Sequence, residues 1–241
     1  MFAGEGLQRA YERAGTGVST KSGIKVRLTG RTPAGLRSRA RINAKHLCES
    51  ALALFGLIAS APLFAVCYAV IRADGGAMLY AHWRVGRHGK PFYCLKFRTM
   101  VVDADRRLAK ILAEDPKAAE EWRIYQKLEK DPRITRFGSF LRKTHLDEIP
   151  QLLNVLRGEM SLIGPRPVTP GELERYGCYS HLYKHVRPGI TGLWQVNDAE
   201  RSSYTERVQL DVQYIRDWSA RLDLLIAGKT LREMFLWRAG A

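Results

Sequence analysis

The chain has 241 residues, with 39 lysines and arginines against 24 aspartates and glutamates, which gives a net charge of +15. This charge predicts an anionic partner, namely nucleic acid, phospholipid or a phosphorylated substrate. Hydrophobic residues make up 46% of the sequence, which is enough for a buried core and excludes a wholly disordered chain. The four cysteines are scattered and form no CxxC pair, which excludes a disulfide scaffold and a zinc ribbon and favours a reducing compartment.

The first predicted segment is a basic arm. Residues 1–45 contain ten basic and two acidic residues, interleaved with glycine, serine and threonine and with little apolar periodicity. This composition is typical of a flexible segment, so we predict a flexible arm over residues 1–44. Such an arm could bind nucleic acid, but the segment that follows makes anionic membrane lipid the preferred partner.

An apolar segment follows the arm, and no charged residue occurs from Ser50 to Ile71. One straight helix of this length would extend ~33 Å, close to the ~30 Å thickness of a bilayer core. Pro62 lies near its middle, however, and a proline inside a helix removes a backbone hydrogen bond. Both flanks are also basic, whereas a single span normally has one more positive side. We therefore predict a re-entrant helix over residues 45–74, broken at Pro62; a spanning helix and a buried helix of a soluble domain are the alternatives.

The remaining residues, 75–241, are predicted to form a mixed α/β, mostly helical domain. Residues 78–100 alternate as a strand pair around a turn at 86–90. From 103 to 130 the pattern is helical and divided at Asp115-Pro116, and another helix is predicted from about Asp147 to Arg157. After Ser161 the chain is predicted to be rich in loops. A last helix could lie in a membrane interface as an amphipathic helix or pack on the core, and its apolar stripe is Leu224, Ala227, Leu231, Met234 and Phe235.

Asp147 and Glu148 are the candidate site that the residues themselves suggest. If Asp147 is an N-cap, Pro150 falls in the first helical turn, where its missing N–H is tolerated. The two acids are then an ordinary cap and an ordinary first-turn acid. The same pair could instead hold Mg²⁺ with substrate phosphates, or Asp147 could attack phosphorus as a nucleophile. Both interpretations stay open, and the arginines expected to complete a phosphate site are Arg142, Arg166 and Arg187.

Three blocks in this order resemble the bacterial sugar transferases, the monotopic phosphoglycosyl transferases that act on polyprenyl phosphate. The blocks are KFRTM (96–100), DPRITRFGSFLRKTHLDEIPQLLNVLRGEMSLIGPRP (131–167) and RPGITGLWQVN (187–197). The resemblance covers roughly residues 45–237. The inserted helical stretch 103–130 is most similar to family members that begin exopolysaccharide synthesis with a hexose phosphate.

The resemblance implies an enzyme that moves a hexose-1-phosphate from a UDP-sugar of glucose or galactose type to undecaprenyl phosphate, releasing UMP, with Mg²⁺ as cofactor. Asp147 would be the nucleophile that carries a covalent phosphosugar. Glu148 would be its partner, assigned either to the metal, which both acids could hold, or to the acceptor's proton. The residues that match the substrate-binding positions of the family are Lys96, Arg98, Arg142, Arg166, Arg187, Gln195 and Asn197.

The broken helix is also a feature of the family, and its proline matches Pro62. The resemblance therefore implies a monotopic protein on the cytoplasmic face of the bacterial inner membrane, with residues 75–241 as a cytosolic catalytic domain. It implies a UDP-sugar and a lipid phosphate as partners and no nucleic acid, and it leaves a homodimer open.

The sequence departs from the family pattern at three positions. Ala61 precedes Pro62 where relatives often have serine, so a hydroxyl that could bond a carbonyl freed by the break is missing. Glu49 stands where aspartate is common. Asp198 replaces the glycine that often follows Asn197, so the sugar or nucleotide selectivity of relatives transfers least well to this loop.

Other classes of protein remain as alternatives. A membrane-tethered basic protein could bind nucleic acid or polymer through residues 1–45, which predicts that Asp147→Asn is silent. A relative without catalysis could act as a scaffold, but the intact Asp147, Glu148 and arginine set argues against it. The sequence after the arm contains no recognisable nucleic-acid module. A CDP-alcohol phosphotransferase would need an aspartate array over several membrane helices, and the sequence has one apolar segment.

Overall fold

The computed structural model describes residues 39–73, 75–125, 128–197 and 203–239. The predicted arm up to residue 38 and the loop at Asp198 lie outside the described residues. The described chain is mixed α/β and mostly helical, as predicted. Its helices are α1 (Arg39–Ala59), α2 (Ala61–Arg72), α3 (Ala104–Glu114), α4 (Pro116–Tyr125), α5 (Arg136–Lys143), α6 (Gln151–Leu156), α7 (Pro170–Glu174), α8 (Ser180–Lys184), α9 (Tyr204–Asp217) and α10 (Ala220–Ala239). Its strands are β1 (Leu79–Val85), β2 (Pro91–Phe97), β3 (Ser161–Ile163) and β4 (Gly189–Thr191).

Helices α1 and α2 form a pair that is bent by 57° around Ser60. Pro62 lies in the first turn of α2, where a missing backbone N–H is tolerated, so the chain turns just before the proline rather than at it. The Ser60 hydroxyl donates to the Leu57 carbonyl at 3.1 Å. The hydroxyl that the Ala61-Pro62 sequence lacks is therefore supplied by the preceding residue. Among the described residues, no single helix is both long and apolar enough to cross a bilayer, and α1 with α2 meets that requirement only as a bent pair.

One face of α1 packs on the body of the protein. Ala53 belongs to a buried cluster with Phe92, Cys94, Val155 and Met160. The opposite face carries large apolar side chains that remain exposed, namely Leu47, Leu52, Leu54, Phe55 and Ile58. Helix α2 shows the same division, with an exposed set of Val66, Tyr68 and Val70. The apolar segment is thus joined to the domain on one side and lacks protein cover on the other.

Strands β1 and β2 form the predicted antiparallel hairpin, with Leu79 opposite Phe97 and Val85 opposite Pro91. Helix α6 is fixed along the other edge of β2 by Asn154, which is completely buried. Its side-chain oxygen accepts from the Leu95 N–H at 3.0 Å, and its amide donates to the Tyr93 carbonyl at 2.8 Å. This places the chain just before α6 next to β2.

The helix predicted from about Asp147 to Arg157 is in fact two elements. A single 3₁₀ turn covers Leu146–Glu148, and α6 starts only at Gln151, with Pro150 at its N-cap position. Asp147 is therefore not an N-cap, and that prediction was wrong. The reason is that the backbone turns at the left-handed His145 and closes a 3₁₀ turn from Leu146, so Asp147 lies inside that turn rather than at the start of α6.

The stretch after Ser161 is more ordered than predicted. Strands β3 and β4 pair in parallel, with Ser161 opposite Gly189, and α7, α8 and α9 follow or intervene. Two complete capping boxes start α7 and α9, and they use Thr169 with Glu172 and Ser203 with Glu206. Both boxes are visible in the sequence as Ser/Thr-x-x-Glu, so these helices could have been predicted.

The last helix, α10, packs through Ile226, and Leu224 and Leu231 of the predicted stripe are 74% and 55% exposed. The side chains of Met234 and Phe235 lie outside the described residues. Asp223 near its start joins three elements. It forms an ion pair with Lys45 of α1 at 2.7 Å and accepts hydrogen bonds from the side chains of Tyr214 and Trp218, each at 2.8 Å. The start of α10 is therefore tied to the first half of α1.

Candidate active site

The turn that carries Asp147 and Glu148 is oriented by its apolar neighbours. Leu146 and Ile149 pack against a buried cluster that includes Phe97 and Leu141. His145, just before the turn, has a left-handed backbone with φ of 55°, a conformation that non-glycine residues rarely adopt and that is common at functional sites. The sharp bend lets the two apolar side chains enter the core while the two acids between them lie towards β2.

Lys96 of β2 meets this turn. Its Nζ lies 2.5 Å from Oε1 of Glu148, and both side chains are only partly exposed, 29% and 26% respectively. Asp147 beside it is buried, with 8% of its surface exposed. Sequence positions 96 and 148 are brought together by the packing of α6 on β2.

The two neighbouring acids have pKa values shifted in opposite directions. Burial raises the pKa of Asp147, and the nearby Glu148 carboxylate adds to this, while Lys96 and Arg142 offset it only in part. Burial also acts to raise the pKa of Glu148, but the charge and hydrogen bond of Lys96 outweigh it and hold this pKa below its ordinary value. Adjacent carboxylates whose pKa values are separated by their surroundings are a common arrangement for a division of catalytic roles.

Two of the predicted arginines belong to the same cluster. The exposed Arg142 donates from Nε to the Thr99 hydroxyl at 2.8 Å and lowers the pKa of Asp147. Arg166 lies over the Trp194 ring, 5.4 Å from its centroid, and lowers the pKa of Glu148. Positive charge therefore approaches the acid pair from α5, from β2 and from the loop after β3.

Sequence reasoning missed a second layer of charge behind Arg166. Arg84 on β1 pairs with Glu172 at 2.8 Å, and Glu172 also lies 3.7 Å from Arg207 on α9. Arg207 is 7% exposed and stacks on Trp194 at 4.7 Å. Glu172 could have been found from its capping-box pattern in the sequence. No local sequence pattern indicates that residues 84 and 207 lie close together.

Asp211 was also missed, although it is completely buried one helical turn after Arg207. Its Oδ2 accepts from the Tyr176 hydroxyl at 2.6 Å. Burial raises its pKa to about 6, although the Tyr176 hydrogen bond and the charges of Arg207 and Arg166 act in the other direction.

The other predicted substrate-binding residues lie at different places. Arg98 donates to the Ile71 carbonyl at 2.7 Å, at the end of α2. Gln195 Nε2 lies 3.4 Å from the Ile190 carbonyl, and the amide of Asn197 donates to the Leu193 carbonyl at 2.8 Å, so both help to fold the segment after β4.

Arg187 is separate from the acid pair. An added Cβ on Gly158 would lie 3.3 Å from its Nη2, which places Arg187 beyond the C-terminal end of α6. Asp147 lies before the N-terminal end of the same helix. Helix α6 is about 9 Å long at 1.5 Å per residue, and the charges that shift the pKa of Arg187 are those of Arg87 and Glu49, not those of the acid pair.

The donor set at the acid pair is compatible with Mg²⁺ only if substrate completes it. No three histidine, cysteine, aspartate or glutamate side chains converge as a metal site within the described ranges. Mg²⁺ commonly takes one or two carboxylates together with substrate phosphates and water, and Asp147 with Glu148 can supply the carboxylates. Lys96 now bonds one of these oxygens, so an arriving cation would have to displace it.

Several known proteins are similar in sequence to this chain. The family model for bacterial sugar transferases matches residues 40–237. The chain is 46% identical to the exopolysaccharide production protein ExoY of Sinorhizobium fredii, over 81% of this chain and 87% of the relative. It is 44% identical to the undecaprenyl-phosphate galactose phosphotransferase of Salmonella typhimurium, over 86% of this chain and 43% of that protein. It is 51% identical to the UDP-galactose-lipid carrier transferase of Erwinia amylovora, over 70% of this chain and 36% of that protein. The chain therefore belongs to the bacterial sugar transferase family.

Proposed function

We propose that this protein transfers a hexose-1-phosphate from a UDP-sugar of glucose or galactose type to undecaprenyl phosphate, as an early membrane step of exopolysaccharide or other glycoconjugate synthesis. One observation carries the proposal: two adjacent acids with oppositely shifted pKa values lie among Lys96, Arg142 and Arg166. The names of the Salmonella and Erwinia relatives describe transfer of this kind.

In the first step, a carboxylate oxygen of Asp147 attacks the sugar-linked phosphorus of the donor. The bond from that phosphorus to the bridging oxygen breaks, UMP leaves with the oxygen, and the sugar phosphate remains on Asp147 as an acyl phosphate. A carboxylate with a raised pKa is the stronger nucleophile once it has lost its proton. Burial at 8% exposure also limits the access of water to the intermediate.

In the second step, a phosphate oxygen of undecaprenyl phosphate attacks the same phosphorus. The bond to Asp147 breaks, the carboxylate is regenerated, and the product is the lipid diphosphate sugar. Both displacements use one phosphate position, which Lys96, Arg142 and Arg166 would stabilise electrostatically. Glu148, held ionised by Lys96, would keep that lysine in place.

Mg²⁺ would be held by Asp147 and Glu148 together with substrate phosphates, and when bound it would neutralise negative charge on the donor diphosphate. Trp194, with a guanidinium of Arg166 and of Arg207 against it, would form one side of the donor site. Gln195 and Asn197 follow directly in the chain and would lie near the nucleotide.

We further propose that α1 and α2 enter one leaflet as a re-entrant pair, with the catalytic part on the cytoplasmic face of the bacterial inner membrane. The exposed apolar faces of both helices support this, because such faces are costly to leave in water. The exposed leucines of α10 would lie in the same interface. A shallow anchor holds the active site near the phosphate of a lipid acceptor.

The test is UMP release by the purified full-length chain in detergent with Mg²⁺, undecaprenyl phosphate and a panel of UDP-sugars. Wild type should release UMP with at least one sugar, and Asp147→Asn should lose roughly 10³-fold or more. Asp217→Asn, an exposed acid on α9, is the matched control and should keep full activity.

A second measurement tests the covalent step. Radiolabelled sugar should stay attached to wild type when the acceptor is omitted, and it should not attach to Asp147→Asn. An active Asp147→Asn variant, or no UMP release from any UDP-sugar of the panel, would overturn the proposal.

A further inference from the structure

A second site with unbalanced positive charge lies at the other end of α6. A cavity of about 70 Å³ opens between the first half of α1, the hairpin turn after β1, the segment before β4 and the α9–α10 corner. The basic side chains that line it are Lys45, His46, Arg87, His185 and Arg187, and the apolar ones include Ile42, Ile163, Ile215 and Trp218.

The acids near this cavity are already engaged. Glu49 is buried, forms an ion pair with Lys45 at 2.9 Å and accepts from the Ser161 hydroxyl. Asp223 also binds Lys45, as well as Tyr214 and Trp218. Lys45 contacts both acids, and the three cations Lys45, Arg87 and Arg187 together outnumber the two acids by one positive charge.

Arg87 and Arg187 both line the cavity, and neither is paired with a carboxylate among the described residues. Within the described part of the chain, the Nε of Arg87 is buried without a hydrogen-bond partner. Burial lowers the pKa of Arg187, and the charge of Arg87 lowers it further, while Glu49 offsets this in part. The buried Arg133, by contrast, is paired with Asp131 at 2.6 Å. An unpaired, partly buried arginine pair is stabilised when an anion enters between them.

The position of the cavity along α1 indicates where that anion comes from. If Ser60 marks the deepest point of the re-entrant pair, Lys45 lies roughly 22 Å back along the helix, at 1.5 Å per residue. A re-entrant pair bent by 57° enters obliquely, so the difference in depth is smaller than this axial distance. The exposed large apolar residues of α1 start at Leu47, so Lys45 and the cavity lie at the headgroup end of that apolar face. Exposed leucines flank it on both helices, Leu47 on α1 and Leu224 on α10, each 74% exposed.

We propose that this cavity binds the phosphate of a membrane phospholipid headgroup, with Arg87 and Arg187 as its ligands and the lipid chains lying along the exposed leucines. The inference rests on the membrane placement proposed above. It assigns Arg187 to a lipid site separate from Asp147, since the two residues lie beyond opposite ends of α6 and neither Asp147 nor Glu148 is among the charges that shift the pKa of Arg187.

Isothermal titration calorimetry of the full-length chain in non-ionic detergent tests this, with three ligands in separate arms: dihexanoyl phosphatidylglycerol, inorganic phosphate and UMP. Wild type should bind one phosphatidylglycerol per chain. The double variant Arg87→Gln/Arg187→Gln should bind it at least tenfold more weakly. Arg106→Gln/Lys110→Gln removes the same charge from the exposed face of α3 and should stay within twofold of wild type.

The three titrations distinguish a lipid phosphate from a free phosphate as the ligand. If inorganic phosphate or UMP binds as tightly as phosphatidylglycerol, and with the same dependence on the arginines, the site takes a free anion and the lipid assignment is wrong. Unchanged phosphatidylglycerol affinity in the arginine variant would overturn the site itself. If the double variant does not fold, Arg187→Gln and Arg187→Lys decide: the first should lose at least fivefold in affinity, and the second should stay within threefold of wild type.

UMP release from the same preparations keeps the two proposals apart. Arginine-dependent lipid binding without any UMP release would leave this inference standing and overturn the proposed function. UMP release together with lipid binding that is unchanged in the arginine variant would overturn this inference and leave the proposed function standing.

Discussion

The two ends of the short helix α6 differ in how positive charge is balanced. At the N-terminal end, Lys96 contacts Glu148 directly, and the surrounding arginines act on a pair of carboxylates. At the C-terminal end, Arg87 and Arg187 share a cavity whose nearby acids are already bound to Lys45. A basic side chain that is paired with a carboxylate fixes the protonation and the position of that carboxylate. A basic side chain without such a partner is available to an anion from outside the protein. The following predictions test this difference, beginning with the largest expected effect.

Replacing Lys96 with methionine should remove the positive charge that balances Asp147 and Glu148 at the N-terminal end of α6. Because Lys96 lowers the pKa of both Asp147 and Glu148, its loss raises both values. UMP release should fall by roughly 10²-fold or more, and the acid limb of the pH–rate profile should move to higher pH. Lys117→Met, an exposed lysine on α4, is the control. An unshifted profile would show that Lys96 does not set the charge of these acids.

The next largest expected effect is a change in folding stability with pH that comes from the protonation of Asp211. Its folded pKa of about 6 exceeds the ordinary value of 3.8, so the folded protein binds this proton more tightly than the unfolded chain. Stability should therefore fall as the pH rises from about 4 to about 6 and then level off, by at most about 3 kcal/mol. Thermal midpoints across this range should show the fall in wild type and a smaller one in Asp211→Asn. Asp217→Asn should keep the wild-type slope; an equal slope in all three proteins would contradict the assignment.

Glu49→Gln should sharpen the comparison at the second end. Removing this negative charge leaves the arginines less screened, so phosphatidylglycerol should bind several-fold more tightly in the titration. The buried Ser161 hydroxyl and Lys45 lose a charged acceptor, which should cost about 2 kcal/mol of stability and lower the thermal midpoint. Glu174→Gln, an exposed acid on α7, serves as control. Weaker lipid binding by a folded Glu49→Gln variant would contradict the proposed role of the unbalanced arginines.

Ser60→Ala should have the smallest effect. Its hydroxyl donates to the Leu57 carbonyl at the bend between α1 and α2. Loss of one such bond should cost about 1 kcal/mol and lower the thermal midpoint by roughly 2–4 °C. Ser50→Ala, on the same helix away from the bend, should change it less. Equal midpoints for both variants would show that the bend does not depend on this hydroxyl.

The sequence predicted those parts of the fold that are encoded locally. The β1–β2 hairpin follows from alternation around a glycine turn, and the α3–α4 boundary follows from Asp115-Pro116. The break before Pro62 follows from the missing N–H of proline. The capping boxes at Thr169 and Ser203 carried equally local information about α7 and α9.

The candidate site was predictable only in part, because most of its contacts join distant segments. Asp147 and Glu148 stand out as neighbours in the chain, and the family resemblance added Lys96. The pairing of Arg84 with Glu172, and the cavity that receives Arg187, depend on tertiary packing that no local pattern encodes. The cap assignment of Asp147 was wrong because the backbone turns at His145, which sequence propensity does not predict.

The buried Asn154 has a consequence beyond positioning α6. A two-stranded hairpin leaves two strand edges open, and an open edge can recruit a strand from another chain. By bonding both the Leu95 N–H and the Tyr93 carbonyl, this side chain occupies the positions that an incoming strand would use. A single amide side chain thus blocks this edge of β2 against pairing with a strand of another chain, which limits edge-to-edge aggregation.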